Sequence, residues 1–244
     1  MKLAVEEKLI VALDTSSLDE ALQLVEQLGG RVITFKVGKE LFVNCGIQII
    51  QELHKLGKKV FLDLKFHDIP NTVAGAGVAA VRHGVFMFNV HAAGGQEMMV
   101  ETVKRTNREA ELLNRTRPLI IGVTVLTSFN DKQLQEELGL NRSVQEQVAL
   151  LAQLAKKSGL DGVVSSPQEV KLIKQLCGSD FLTVVPGVRP LWARKNDQKR
   201  VMTPEEAVRA GADFLVVGRP ITQAERPVLA AEKILKEIKE GMGC

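Results

Sequence analysis

The segment Lys59-Val60-Phe61-Leu62-Asp63-Leu64-Lys65-Phe66-His67-Asp68 starts as an apolar run and ends in charges. Consecutive Val, Phe and Leu suit a parallel strand buried on both faces, which leaves the charges at its C-terminal end. The pattern recurs along the whole chain. Strands are predicted at residues 9–14, 32–38, 59–65, 85–91, 119–127, 160–165, 181–186 and 213–218. Helical patterns separate them. Residues 17–28 open with a Ser17/Glu20 capping box, and Ser166-Pro167-Gln168-Glu169 and Thr203-Pro204-Glu205-Glu206 repeat that logic with Pro at the first helical position. Residues 143–157 place Val144, Val148, Leu151, Leu154 and Ala155 at helical spacing.

Eight strand–helix units without a linker predict one α/β domain over residues 1–244, a closed (β/α)8 TIM barrel. A barrel of this kind takes roughly 250 residues, close to the 244 present. The rival is an open doubly wound sheet. Its first strand–helix turn would carry G-x-G-x-x-G for a dinucleotide, but that turn reads Asp14-Thr15-Ser16-Ser17, and no Walker A sequence occurs.

Composition narrows the function class. No apolar run approaches the ~18 residues of a membrane span. The opening Met1-Lys2-Leu3-Ala4-Val5-Glu6-Glu7-Lys8 has acids where a secretory signal needs its apolar stretch. Cys45, Cys177 and Cys244 are odd in number and far apart, as free thiols of a cytoplasmic protein would be, and do not form a disulfide framework or a zinc site. The net charge of +3, from 32 cations and 29 anions, is too small for a nucleic-acid surface unless concentrated. It is concentrated in residues 189–200, where Arg189, Arg194, Lys195, Lys199 and Arg200 face one anion, Asp197. That segment alone carries +4, so the remainder is slightly acidic. Trp192 lies in the same segment, so its fluorescence is expected to respond to a ligand bound there.

Barrel chemistry sits at the C-terminal strand ends. There the sequence places Asp14, Lys36, Asp63, Lys65, Asp68, Asn89, His91, Thr127, Ser128, Ser165, Pro186, Arg189, Gly218 and Arg219. In a regular strand, residues i and i+2 share a face, so Asp63 and Lys65 are expected to project together into the barrel mouth, with Leu64 turned to the helices. Lys36 and Asp68 would extend them into an alternating array in which every charge has an opposite neighbour. Such an array would fix an ammonium donor; a purely structural salt-bridge cluster is the plain alternative. Gly218-Arg219 at the end of the eighth strand offers backbone N–H groups and a guanidinium to a phosphate, a frequent ligand after barrel strands 7 and 8.

With these motifs in place, the chain resembles the orotidine 5′-phosphate decarboxylase family. The D-x-K-x-x-D-I-P-N-T signature runs from Asp63 to Thr72 without departure. Val90-His91-Ala92, Thr124-Val125-Leu126-Thr127-Ser128, Pro186-Gly187-Val188-Arg189-Pro190 and Val217-Gly218-Arg219-Pro220 extend the match. The resemblance implies decarboxylation of orotidine 5′-phosphate to UMP and CO2, with no cofactor and no metal. It implies that Lys65 protonates C6, that Asp63 lies against the departing carboxylate, and that Lys36 completes the array near the ribose. Asp68, Ile69 and Thr72 would enter the site of a second subunit, making a homodimer with shared active sites. Asp14 and Thr127 would contact ribose hydroxyls or nearby groups and Ser128 the pyrimidine; Pro186 belongs to the binding loop. Arg189, Gln198, Gly218 and Arg219 would hold the phosphate or close over it. The partner is then a small nucleotide, with no nucleic acid and no membrane. The rivals are a Mg-dependent sugar-phosphate decarboxylase or aldolase of the same superfamily, whose metal usually has a Glu ligand near the second strand, and a non-catalytic nucleotide sensor. The second strand here offers Lys36, and the first acid after it is Glu40.

Overall fold

The computed structural model describes residues 3–193 and 202–243. In chain order the elements are α1 (Val5–Lys8), β1 (Leu9–Leu13), α2 (Leu18–Leu28), β2 (Thr34–Gly38), α3 (Lys39–Cys45), α4 (Gln48–Lys55), β3 (Lys59–Phe66), α5 (Pro70–Arg82), β4 (Met87–His91) and α6 (Gly95–Leu112). They continue as β5 (Leu119–Val123), α7 (Asp131–Glu136), α8 (Val144–Lys157), β6 (Gly162–Val164), α9 (Val170–Cys177), β7 (Leu182–Pro186), α10 (Pro204–Arg209), β8 (Phe214–Val217), α11 (Arg219–Thr222) and α12 (Pro227–Gly241). The strands are parallel and close in sequence order from β1 to β8, with β1 paired to β8 through Leu9↔Leu215, Ile10↔Val216 and Val11↔Val217. This is the TIM barrel expected from the alternation.

Two packed layers account for the continuous apolar runs. Ile10, Ala12, Phe61, Met87, Ile121, Leu182, Val184, Phe214 and Val216 fill the barrel interior, and Leu3 joins the same cluster. Their neighbours Leu9, Val11, Leu13, Phe35, Val37, Val60, Leu62, Phe88, Val90, Val163, Leu215 and Val217 face the helical ring. Each strand is therefore apolar on both faces except at its C-terminal end.

Helix starts follow the predicted caps with one difference. The Thr203/Glu206 box is reciprocal: the Thr203 N–H donates to Glu206 Oε2 at 2.8 Å and the Glu206 N–H to Thr203 Oγ1 at 3.1 Å. The Ser166/Glu169 box also forms, over a short 3-10 turn that leads into α9. At α2 only half of the box exists. Ser17 Oγ accepts the Glu20 N–H, but the Glu20 carboxylate is taken by the Thr15 hydroxyl at 2.5 Å. A Thr two residues ahead of the cap outcompeted the backbone.

Strand 5 is shorter than expected. It ends at Val123 because its neighbour β6 has only three residues, Gly162–Val164, so the ladder has no partner further on. Thr127 and Ser128 consequently lie in the loop after β5, exposed, with the Phe129 N–H donating to Leu126 O in a turn.

The Glu169 side chain that closes its capping box is also half-buried. Burial pushes its carboxyl up to about 7, against the opposing effect of the Ser166 N–H. Between the unfolded value near 4.5 and about 7 the folded chain holds the extra proton, so stability falls as pH rises through that window. Glu169→Gln keeps the acceptor without the charge. It is expected to stabilise the fold by about 2 kcal/mol at pH 8 and to be neutral at pH 4, as read from denaturant unfolding at the two pH values.

Candidate active site

The charged residues meet at the C-terminal mouth of β1, β2 and β3. Lys36 Nζ lies 3.2 Å from Asp14 Oδ1 and 3.5 Å from Asp63 Oδ2. Lys65 Nζ lies 2.6 Å from Asp63 Oδ1. The result is a row of alternating sign, Asp14–Lys36–Asp63–Lys65, running from half-exposed to nearly buried. The Asp14 side chain is 52% exposed, whereas those of Lys36 and Asp63 are 12% and 13% exposed. Lys36 is thus no snorkelling surface lysine. Two glycines make room for it and for Asp14: a Cβ on Gly38 would stand 2.9 Å from Lys36 Nζ, and one on Gly218 would stand 2.9 Å from Asp14 Oδ2.

Asp63 and Lys65 come together by a route other than regular strand alternation. The β3–β4 register shifts between Leu62 and Phe66, which pair with Phe88 and Val90. Four β3 steps are thus set against two on β4. Lys65 sits inside this bulge with φ 54°, and among the described residues only Asn114 shares a positive φ without being glycine. Leu64 packs toward the helical layer as expected. Asn89, buried at 0% exposure in β4, accepts the Lys65 N–H at 2.8 Å and donates to Asp63 Oδ1 at 2.7 Å. A lone Asn within the apolar run Met87–Val90 was the sequence signal for it.

Asp68 does not join the row, contrary to the expectation of an Asp68 partner within the chain. The turn into α5 carries it out to solvent, where its Oδ1 accepts the neighbouring Ile69 N–H at 2.6 Å. Asp14 takes the fourth place instead. Ile69 is 66% exposed and Thr72 is also exposed. His67, Asp68, Ile69, Pro70, Ala93 and Gly94 line an open groove of about 550 Å³ beside them. The His67 and His91 rings are 5.2 Å apart. Burial first, then the charges of His67, Lys39 and Lys65, lower the His91 imidazole to about 4, with Asp63 opposing. His91 is therefore a neutral ring beside the charge row at physiological pH.

On the other side of the mouth, Arg189 follows β7 and Arg219 opens α11 after Gly218. Burial, and next the Arg219 charge, pull the Arg189 guanidinium below its ordinary value. Among the described residues neither arginine has a carboxylate partner. Two neighbouring guanidiniums with no carboxylate among the described residues suit an anion, although Arg189 Nη1 also donates to Val188 O at 3.0 Å. Pro186 ends β7 at the same rim. Trp192 packs on α12, with Lys233 Nζ 5.4 Å from its ring centre and Glu237 as a hydrogen-bond partner. Gln198 lies outside the described residues, as do Arg194, Lys195, Asp197, Lys199 and Arg200. Among the described residues no group of three or more His, Cys, Asp or Glu side chains is placed to hold a metal ion.

Comparison with known proteins identifies the family. Residues 7–234 match the Orotidine 5′-phosphate decarboxylase / HUMPS family. The chain is 52% identical over 236 residues to an orotidine 5′-phosphate decarboxylase of Syntrophomonas wolfei subsp. wolfei, covering 96% of this chain and 99% of that protein. It is 53% identical over 235 residues to the Geobacter sulfurreducens enzyme of the same name, covering 96% and 97%. The crystal structure of orotidine 5′-phosphate decarboxylase from Lactobacillus acidophilus superposes with a TM-score of 0.84 at 40% identity, covering 94% of this chain and 98% of that one. With the barrel, the charge row and a match over nearly its whole length, the chain belongs to the orotidine 5′-phosphate decarboxylase / HUMPS family.

Proposed function

We propose that this protein decarboxylates orotidine 5′-phosphate to UMP and CO2, the last step of pyrimidine nucleotide biosynthesis, in the cytoplasm. The observation that carries the reading is the row Asp14–Lys36–Asp63–Lys65, with spacings of 3.2, 3.5 and 2.6 Å at the barrel mouth. It sits beside an arginine pair suited to the 5′-phosphate.

In the reaction the C6–carboxylate bond breaks, CO2 departs, and the electron pair stays on C6. The ring does not delocalise that pair, so the barrier falls only if fixed charge favours the carbanion over the carboxylate. The Lys65 ammonium supplies that charge and then donates its proton to C6; solvent returns the proton to Lys65. Asp63 holds the ammonium and places a negative charge where the substrate carboxylate would lie. Lys36 binds both Asp63 and Asp14, keeping the two carboxylates in place and reaching the ribose side. The 3.5 Å Lys36–Asp63 contact puts an ammonium, which cannot ligate a cation, beside the Asp63 carboxylate.

Arg189, Arg219 and the Gly218 backbone are assigned to the phosphate, and Pro186 and Gln198 to the loop beside it. Thr127 and Ser128, exposed after β5, reach the ribose and pyrimidine. Binding energy from the phosphate, far from C6, then serves to close the site and exclude water. Asp68, Ile69 and Thr72 are exposed and outside their own charge row, and Asp68 and Ile69 line an open groove, which supports a homodimer in which the three complete the partner's site. The purified chain given orotidine 5′-phosphate is expected to release UMP and CO2 in equal amounts. Absence of both products rejects the reading.

A further inference from the structure

We infer that Asn89 is a positioning residue for the reaction, a clamp that fixes both the Lys65 backbone and the Asp63 carboxylate. This rests on the proposed decarboxylase reading and names a residue beyond it.

Where β3 bulges, the ladder between Leu62 and Phe66 is missing. A buried strand cannot leave those backbone groups unpaired without cost. Asn89 fills the gap from β4 with its side chain. Its amide orientation is unambiguous, because the Lys65 N–H can only donate and a carboxylate can only accept. Oδ1 therefore takes the Lys65 N–H at 2.8 Å, and Nδ2 gives its hydrogen to Asp63 Oδ1 at 2.7 Å.

These two bonds have separate consequences. The first holds Lys65 at φ 54°, a conformation that a lysine adopts only when its surroundings impose it. That twist lets side chains two residues apart in a bulge converge. The second sets the carboxylate rotamer. Asp63 Oδ1 then accepts from both Asn89 and the Lys65 ammonium, while Oδ2 is left to Lys36. Among the described residues the Asn89 side chain hydrogen-bonds to Lys65 and Asp63 and not to Arg189, Arg219, Thr127 or Ser128. Its loss should therefore misplace the ammonium without removing the groups assigned to substrate binding.

Two variants test this. Asn89→Leu keeps the approximate volume and removes both hydrogen bonds. It is expected to lower kcat roughly a hundredfold, the loss typical of a group displaced by about 1 Å, while the UMP dissociation constant stays within about threefold. Asn89→Asp retains both bonds only when the new carboxyl is protonated. That carboxyl would face Asp63 and Lys65 on β3, with Lys36 on β2, Asp14 after β1 and His91 on its own strand as the other ionisable neighbours. Its kcat is expected to rise toward acid relative to that of the native chain.

A folded Asn89→Leu chain with kcat within about threefold of native would overturn the inference. So would a parallel loss of kcat and UMP affinity, which marks general damage to the site. If Asn89→Leu fails to fold, an Asn89→Asp profile parallel to the native one overturns it. No turnover by the native chain in the same assay rejects the decarboxylase reading itself, and the clamp with it.

Discussion

Replacing Lys65 with Ala is expected to reduce decarboxylation by on the order of 10⁴-fold or more while the barrel stays folded. Two effects combine: loss of the proton donor, and loss of a fixed positive charge facing the developing carbanion. Lys65 is outside both apolar layers, so no core cavity opens. The variant leaves Asp63 with Lys36 and Asn89 as partners. Alanine keeps the Cβ and therefore the strain that Lys65 bears at φ 54°. Lys65→Gly should be as inactive as Lys65→Ala but at least as stable as native, since glycine adopts that conformation without strain. Strain at Lys65 is then a cost borne for activity. A Lys65→Ala chain that turns over within about tenfold of native would remove Lys65 from the mechanism.

The second large effect concerns the proposed sharing of the site between two subunits. Lys65→Ala and Asp68→Ala homodimers are each expected to be nearly inactive. In a mixed dimer, the barrel of the Asp68→Ala subunit keeps its own Lys65 and receives Asp68 from the other subunit. The second barrel lacks both. One site per hybrid is intact, so random mixing of equal amounts should recover about one quarter of native activity. Verified hybrids with no recovery would show that Asp68 does not act across the interface. The exposure of Asp68, Ile69 and Thr72, outside their own charge row, is why this experiment discriminates.

The barrel was legible because each strand is apolar on both faces and several helices, α2, α8 and α10 among them, start with a side-chain cap that can be recognised locally. Thr203 with Glu206 shows this, since both partners lie within four residues. Features set by a neighbour were harder to read. Strand 5 was predicted to reach residue 127, but its length is decided by the three-residue strand beside it. The pairing of Asp63 with Lys65 was legible, while its cause was not. Period-two alternation suggested it, yet a bulge and a left-handed Lys65 produce it. Asn89 went unassigned because its two partners lie 24 and 26 residues away in the sequence. Asp14 enters the row and Asp68 leaves it for a similar reason: loop direction after a strand depends on packing that spacing alone does not encode.

In the proposed mechanism fixed side-chain charge, with no metal, drives loss of CO2 from C6. The most direct test follows the disappearance of orotidine 5′-phosphate absorbance by the native chain, before and after exhaustive chelation of divalent metals. The same rate is expected in both. Turnover that disappears on chelation and returns with Mg²⁺ would rule out a metal-free reaction.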